Sequence, residues 1–534
     1  MKAFARRALP IRLAFGTLAA AAMLLGAAGA GAEPKRGGMV TAVVHPDPAF
    51  LVTAHNPIGG ALDISSKLFE GLATYDIDMN LKPALAESWE VSPDGLSVTF
   101  HLRKDVRWHD GKPFTSKDVA FTTNKIWKVM HPRNRVVMSK VTAVETPDDH
   151  TVVFRLSSPA PYLLSVMNGN ESQVVPQHVY DGTDVGAKLV SERPVGTGPF
   201  KLKEWRRGEA IVLERNPDYW QKGKPYLDGM IYRVIPDESA RAAAFEAGEI
   251  QYGVFGPVNP CTAQRLAKSK TLGVETKGYQ FFGSRFIMEV NTRKPYLADR
   301  RVRQAIAHAV DTDFILDNVF CGYGVKSTGP VPVELKAFYT PDVPSYPHDP
   351  KKAEKLLDEA GFPRGPDGVR FKITHDPLPF GAVYTRAAEV VKQNLADVGI
   401  QVEIRAQDTP TWLRRLYTDY DFDLTSNTPS ALPDPTLGIQ RVYWSKNIIK
   451  GAPFSNGSGY SNPEMDKVLE DAANEPDQEK RKQLFYRMQE IAQTDLPVID
   501  LFVLQRTTVY DKKLKNHTMQ ADGYTNFADA YLEK

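Results

Sequence analysis

The sequence predicts an α/β protein built from two or three packed units. Its 534 residues are several times the roughly 100–200 residues that form one domain. The stretch 349–404 reads as helix, strand, helix, strand, and its last three elements form a parallel βαβ unit with a right-handed crossover. Apolar residues make up 42% and charged residues 24% of the chain, which is typical of a globular protein. A disordered, collagen-like or coiled-coil chain is therefore excluded.

The N-terminus has the pattern of a secretion signal. A basic stretch at 2–12 precedes an uncharged apolar stretch at 13–25, and small residues at 30–32 offer a cleavage site. The apolar stretch is short for a membrane span of about 20 residues. We expect residues 1–32 to be a signal peptide that is cleaved near Ala32, and the mature protein to be exported. The sequence leaves Sec and twin-arginine export both open.

Hydrophobic alternation predicts three strands in the first part of the mature chain. They lie at 39–44, around 98–102 and around 152–156, the last two after turns rich in Asp, Gly and Pro. The loop after the first strand contains His55 and Asn56, and a polar loop after a strand can line a pocket.

The βαβ region carries clearer signals. Asp349 and Pro350 begin a helix that Gly361 ends. Strands at 371–373 and 400–404 flank a second helical stripe. Ligands of parallel sheets lie beyond the carboxyl ends of the strands, so the loop from His375 to Tyr384 is a candidate binding loop, with simple chain reversal as the alternative.

Catalytic, metal and cofactor motifs are missing from the sequence. None of the eleven histidines has another four residues away, and no nucleophile elbow or phosphate-binding loop is present. Two cysteines, Cys261 and Cys321, are too few for a four-thiolate zinc site; a disulfide and two free thiols both remain open. The net charge of +2 gives no electrostatic reason to expect a nucleic-acid partner. We expect no cofactor, no metal and no enzymatic activity.

Eight segments, in order over nearly the whole mature chain, resemble the extracytoplasmic solute-binding proteins of ABC importers, in the family of peptide, nickel and opine binders (family 5). They are LFEGL at 68–72, PALAESWE at 83–90, DG at 94–95 leading into FHLR, RWHDGKPFTSKDVAF at 107–121, VGTGPF at 195–200, NPDYW at 216–220, RRVRQAIAHAVD at 300–311 and DPKKAEKLLDEAGF at 349–362.

The resemblance implies a two-lobe periplasmic binding protein fold, or Venus flytrap, with an extra subdomain on the first lobe. Lobe I would comprise 33–75, the extra subdomain 76–195, and lobe I again 196–289. Lobe II would span 290–504, and the chain would return to lobe I at 505–534. The two crossings between lobes would lie near Val290 and near Leu504.

The resemblance also suggests which residues touch the ligand. Dipeptide binders hold the ligand's amino group with an aspartate, for which Asp434 is the candidate here, and its carboxylate with an arginine, whose nearest position here is Leu378. The family's tryptophan is missing, and Asn427 and Thr428 occupy its neighbourhood. The candidate ligand-binding residues are His55, Asn56, Arg285, His375, Phe380, Asn427, Thr428 and Asp434.

The resemblance implies a monomeric, periplasmic substrate-binding subunit that captures an oligopeptide or a peptide-like small polar solute and delivers it to permease subunits in the inner membrane. Binding of an opine, an oligosaccharide or a metal chelate with the same fold is the first alternative. A secreted hydrolase, and a chaperone or sensor of the same fold, are alternatives from other classes.

Overall fold

The architecture is known from a computed structural model, which describes residues 34–533. The predicted signal peptide, including Ala32, lies outside the described residues. Among the residues that are described, no helix combines the length and the apolar character needed to cross a membrane.

The strands alternate with helices along the chain, as the sequence predicts. They are β1 (Met39–Val44), β2 (Ala73–Tyr75), β3 (Leu81–Pro83), β4 (Ala86–Val91), β5 (Ser97–Leu102), β6 (Val141–Asp148), β7 (Thr151–Leu156), β8 (Phe200–Arg206), β9 (Ala210–Arg215), β10 (Gly229–Val234), β11 (Tyr252–Gly253), β12 (Leu272–Glu275), β13 (Arg285–Val290), β14 (Gly324–Lys326), β15 (Phe371–Asp376), β16 (Ile400–Ile404), β17 (Leu424–Asn427), β18 (Val498–Leu504), β19 (Thr508–Asp511), β20 (Leu514–Lys515) and β21 (Tyr531–Leu532).

The α-helices are mostly short, and the longest two belong to the second half of the chain. They are α1 (Gly59–Leu68), α2 (Ser116–Thr122), α3 (Asn134–Val137), α4 (Gln177–Tyr180), α5 (Val185–Ser191), α6 (Glu238–Glu246), α7 (Pro260–Leu266), α8 (Arg300–Ala309), α9 (Thr312–Phe314), α10 (Pro350–Glu359), α11 (Ala382–Asp397), α12 (Thr409–Arg414), α13 (Pro435–Gly438), α14 (Gln440–Tyr443), α15 (Pro463–Ala472) and α16 (Gln478–Asp495).

Two large mixed sheets define two lobes. The sheet of lobe I has the order β12-β19-β11-β1-β10-β9-β8, and β1 is parallel to both of its neighbours. The sheet of lobe II has the order β14-β18-β13-β17-β15-β16. Its β15 pairs in parallel with β16 across helix α11, which confirms the predicted βαβ unit.

A smaller antiparallel sheet, β4-β5-β7-β6, lies within the segment predicted as the extra subdomain. Its inward side chains, such as Phe100 and Phe154, belong to the same buried core as Val40 and Val44 of lobe I. Residues of β13 contribute to two further cores, one on each face of the lobe II sheet. Lobe II is therefore a sheet with apolar cores on both faces.

The chain crosses between the large sheets twice, and one crossing differs from the prediction. The predicted crossing near Val290 is wrong, because β13 already belongs to the lobe II sheet and the crossing therefore lies between Glu275 and Arg285. The return falls between Leu504 and Thr508, next to the predicted Leu504. Short crossings that lead directly from strand to strand explain why the sequence shows no Gly- or Ser-rich linker.

Candidate functional site

The two crossing segments lie side by side and form the hinge region between the lobes. The backbone N–H of Leu504 donates to the carbonyl of Ser284 at 2.7 Å, and the N–H of Arg285 donates to the carbonyl of Pro429 at 3.0 Å. Ser284 also forms an isolated antiparallel bridge with Ser430. The segment after β17 is thereby held against the first crossing.

Apolar side chains from both lobes meet next to this hinge. Leu432 of lobe II belongs to a buried cluster with Phe281, Phe282 and Tyr524 of lobe I. Leu437 packs against the same cluster and against the large core of lobe I. Leu432 and Leu437 therefore lie on a part of lobe II that faces lobe I.

A second, polar contact joins lobe II to the extra subdomain. The Nζ atom of Lys140, in the extra subdomain, donates to the carbonyl of Ala473 and to Oδ1 of Asn474, both at 2.9 Å. The hydroxyl of Ser158 also donates to Oδ1 of Asn474 at 3.3 Å. The lobes therefore touch through the extra subdomain as well as next to the hinge.

Three of the sequence motifs converge on Glu70 inside lobe I. Its carboxylate accepts hydrogen bonds from Tyr219 Oη at 2.8 Å, Trp220 Nε1 at 3.0 Å and Thr197 Oγ1 at 2.9 Å. Burial raises the pKa of Glu70 to about 7, against the lowering effect of these donors. The motifs LFEGL, NPDYW and VGTGPF thus build one structural hydrogen-bond cluster.

The glycines of VGTGPF pack against helix α1 and do not form a phosphate loop. A Cβ atom on Gly196 would lie 1.8 Å from the carbonyl oxygen of Leu68, and one on Gly198 would lie 2.5 Å from the carbonyl oxygen of Lys67. Only glycine permits this close approach of two backbones. These two glycines therefore serve the packing of the VGTGPF segment on α1.

Arg285 is paired with a carboxylate inside lobe II. Its side chain is 1% exposed, and its Nε donates to Oδ1 of Asp500 at 2.7 Å. Burial of such a cation is tolerated because the carboxylate neutralises it. The expectation that Arg285 is a spare cation for an acidic ligand is therefore wrong.

Asp434 is likewise committed within lobe II. It accepts two hydrogen bonds from Arg481, at 2.5 and 2.7 Å, and caps α13 by accepting from the N–H of Thr436 at 3.0 Å. A bidentate arginine pair occupies both oxygens of a carboxylate. The expectation that Asp434 is free to bind a cationic amine is therefore wrong.

Two more candidates lie inside the lobe II sheet. His375 is in β15, not in a loop, and its Nε2 lies 2.6 Å from Oγ of Ser426; burial lowers the pKa of His375 to about 4. Asn427 is 2% exposed and donates to Oε1 of Glu289 at 2.8 Å. Both side chains have partners within this sheet, and Nδ1 of His375 has none among the described residues; His375 and Asn427 as ligand contacts stay predictions.

The candidate loop after β15 is shorter than predicted, because β15 continues to Asp376 and α11 begins at Ala382. Leu378 in this loop is buried, whereas Phe380 is 56% exposed. An exposed phenylalanine is not part of an enclosed pocket in this conformation. Phe380 as a ligand contact therefore stays a prediction.

Three candidate ligand-binding residues have side chains that are only half-buried. Thr428 is half-buried and directly precedes the hinge contact of Pro429. His55 and Asn56 are half-buried in the loop after β1, and His55 packs on Phe50 with 4.7 Å between ring centroids. Nδ1 of His55 is buried and has no partner among the described residues. These three residues stay predictions as ligand contacts.

Sequence reasoning missed a cluster of cationic and imidazole side chains. His131 is fully buried, and its Nε2 has no partner in the part of the chain that the structure describes. Arg133 follows on the same subdomain and pairs with Glu171, its Nε donating to Oε2 at 2.7 Å. Arg441 lies in α14 of lobe II. The only signal in the sequence was one arginine within the apolar run GIQRVYW.

Cys261 and Cys321 form a disulfide. Cys261 lies in α7 of lobe I, and Cys321 follows a helical turn at Ile315–Val319 and precedes β14 of lobe II. The disulfide is thus a third covalent connection between the lobes. Across residues 34–533, no group of three or more His, Cys, Asp and Glu side chains is placed to hold a metal ion.

The chain is similar to known solute-binding proteins over most of its length. Residues 80–448 match the family model "Bacterial extracellular solute-binding proteins, family 5 Middle". The oligopeptide-binding protein AppA of Bacillus subtilis is 27% identical over 499 residues, which is 88% of this chain and 87% of that protein. The glutathione-binding protein GsiB of Salmonella paratyphi A is 28% identical over 489 residues, which is 88% and 90% of the two chains.

The fold matches a solved structure as well. The periplasmic binding protein DppA of Helicobacter pylori, in complex with the peptide STSA, superposes with a TM-score of 0.78 at 28% identity. The match covers 94% of this chain and 99% of that one. The α/β architecture with two lobes, predicted from the sequence, is thereby confirmed.

Proposed function

Because the chain belongs to family 5 of the bacterial extracellular solute-binding proteins, we propose that it is the periplasmic solute-binding subunit of an ABC importer. Its relatives include binders of oligopeptides and of glutathione. We propose an oligopeptide or a peptide-like small polar solute as its ligand. The observation that carries the proposal is the pair of large sheets, joined by two short crossings.

The geometry supports a clamshell mechanism without covalent chemistry. A solute between the lobes contacts both of them only when they are closed, so binding shifts the equilibrium toward the closed form. Enclosure strengthens hydrogen bonds and charge pairs, because they form in a medium of lower dielectric constant than water. The closed pair of lobes is the form that permease subunits would recognise.

The remaining parts of the proposal concern location and partners. We propose that residues 1–32 direct export and are removed near Ala32, and that the mature chain works as a monomer. Its partners are the solute and the inner-membrane permease, and it does not bind nucleic acid. The solute leaves unaltered.

A ligand screen tests the function. Purified mature protein is heated with peptides of two to five residues, glutathione, opines, oligosaccharides and metal chelates, and the unfolding transition is recorded. A ligand at a hundredfold excess over its Kd adds about 2.7 kcal/mol to the free energy of unfolding. We expect members of the peptide class to raise the Tm.

The same mixtures separate binding from catalysis. Mass spectrometry of the recovered ligand should show an unchanged mass after many hours with the protein. A hydrolysed ligand would favour a secreted hydrolase, and a failure of every class to raise the Tm would contradict the proposed function.

A further inference from the structure

Arg441 lies on the part of lobe II that faces lobe I. Helices α13 and α14 are separated by the single residue Ile439, whose φ of −93° and ψ of −47° are near-helical. Leu437 and Arg441 are four residues apart, so they lie on one face of this nearly continuous helix. Leu437 packs against the cores of lobe I, and Arg441 is therefore directed toward the same lobe.

The guanidinium group of Arg441 differs from those of three other buried or half-buried arginines in having no carboxylate partner. Arg285, Arg481 and Arg133 each pair with a carboxylate, those of Asp500, Asp434 and Glu171. Arg441 has no Asp or Glu oxygen within 4.0 Å among residues 34–533. Its Nε is buried without a hydrogen-bond partner in the same range, and the ring of Phe454 lies 6.0 Å away.

The charges around Arg441 come from both lobes. Burial lowers the pKa of Arg441 to about 10, and the charge of Arg133, on the extra subdomain, is the next cause. Positive charge on the extra subdomain thus acts on Arg441 from across the region between the lobes. Tyr417 and Glu289 favour the charged form from within lobe II, but the carboxylate of Glu289 already accepts from Asn427.

The side chain of Arg441 is half-buried, and its Nε is fully buried. Partial burial of a cation without an anion costs free energy, because no charge pair offsets the loss of hydration. A ligand anion that binds Arg441 offsets the free-energy cost of removing the guanidinium group from water, and it also reduces the repulsion from Arg133. The planar guanidinium group offers two parallel N–H donors to a carboxylate. The aspartate predicted to hold a cationic amine, Asp434, is neutralised by Arg481.

We infer that the solute carries a carboxylate group and that Arg441 binds this group when the lobes close. The inference rests on the proposed function and narrows its substrate class to acidic solutes. Arg441 is then a specificity-determining residue, contributed by lobe II, and it helps to hold the closed form because the anion lies between the two lobes.

The test uses acid and neutral versions of the same compounds. Tripeptides are compared with their C-terminal amides, glutathione with its diethyl ester, and opines with their esters, by thermal shift and then by calorimetry. We expect the free acids to bind wild-type protein roughly ten- to a hundredfold more tightly than their neutral versions, which is the range of a charge-assisted hydrogen bond.

Variants assign the preference to one side chain. Arg441→Gln should bind acid and neutral versions with equal affinity, and Arg441→Lys should keep part of the preference, because it keeps the charge but loses the paired donors. Arg386→Gln removes an exposed arginine of α11 and should keep the full preference. The free energy of unfolding without ligand, measured for each variant, shows that each has folded.

The outcomes separate the inference from the function on which it rests. Solutes that bind without an acidic group, or an unchanged acid preference in Arg441→Gln, would overturn the inference and leave the function standing. Failure of every compound to bind would overturn both.

Discussion

The disulfide between Cys261 and Cys321 permits a quantitative prediction. The two cysteines are 60 residues apart in sequence, and a crosslink that closes a loop of this length stabilises the folded state by about 4 kcal/mol through the entropy of the unfolded chain. The closed loop contains the first crossing between the lobes. Replacing both cysteines with serine should therefore lower the free energy of unfolding by about 4 kcal/mol.

Contacts around the disulfide indicate that the native geometry survives its removal. Nε2 of Gln264 donates to the carbonyl of Cys321 at 3.3 Å, and Tyr323 packs against a buried cluster of lobe I. The N–H of Gln505, on the return crossing, donates to the carbonyl of Tyr323 at 3.3 Å. These contacts hold lobe II beside the return crossing without the covalent bond.

Urea unfolding, followed by circular dichroism, measures the effect on three samples. Oxidised wild-type protein should be the most stable, and the double serine variant and reduced wild-type protein should unfold at the same lower urea concentration. A reductant should leave the double variant unchanged, which controls for effects of the reductant itself. Unfolding of the double variant at the wild-type midpoint would refute the reasoning.

Three further predictions concern residues that the structure assigns to stability. Asp434→Ala should lower the free energy of unfolding by about 3–5 kcal/mol, because Arg481 is left buried without its partner; calorimetry should show unchanged ligand affinity, and a selective loss of binding would contradict this. Gly196→Ala should destabilise lobe I by about 3 kcal/mol in urea, since the added Cβ meets the carbonyl of Leu68, and a wild-type midpoint would be evidence against this close contact. Burial raises the pKa of Glu70 to about 7, above the value of about 4.3 in an unfolded chain, so the free energy of unfolding should fall as the pH rises from about 4.3 to about 7. Glu70→Gln should flatten this pH dependence of the free energy of unfolding, and an unaltered slope would refute the raised pKa of Glu70.

Local signals in the sequence were sufficient to predict two elements of lobe II, α10 and β16. Asp349 accepts from the N–H of Lys352 and begins α10, and Gly361 follows the helix with a φ of +88°. The alternation at 400–404 coincides with β16. These features depend on neighbours only a few residues away, and such neighbours are visible in a single sequence.

The incorrect predictions of ligand-binding residues concern polar side chains whose partners are distant in the sequence. His375 and Asp376 look like loop residues, but β15 includes them because Ser426 and Arg405 satisfy their side chains. Asp434 pairs with an arginine 47 residues later, and Arg285 with an aspartate 215 residues later. A single sequence does not show such pairs, so a buried structural ion pair resembles a free ligand-binding charge.

The boundary between the lobes was misplaced for a related reason. The apolar strand β13 is buried along its whole length, and its sequence pattern does not reveal which of two sheets it joins. Only its pairing with β17 and β18 assigns it to lobe II. Arg441 was missed because one arginine in a short apolar run is typical of an ordinary amphipathic helix.

The most direct test of the account is whether a bound solute brings the two lobes together. Small-angle X-ray scattering of the mature protein, with and without a saturating amount of a ligand found in the screen, measures the radius of gyration of the same sample. We expect the ligand to reduce the radius of gyration, and Arg441→Gln to need a higher concentration of an acidic ligand for the same reduction. Identical scattering curves for free and fully bound protein would contradict a mechanism in which the lobes close on the solute.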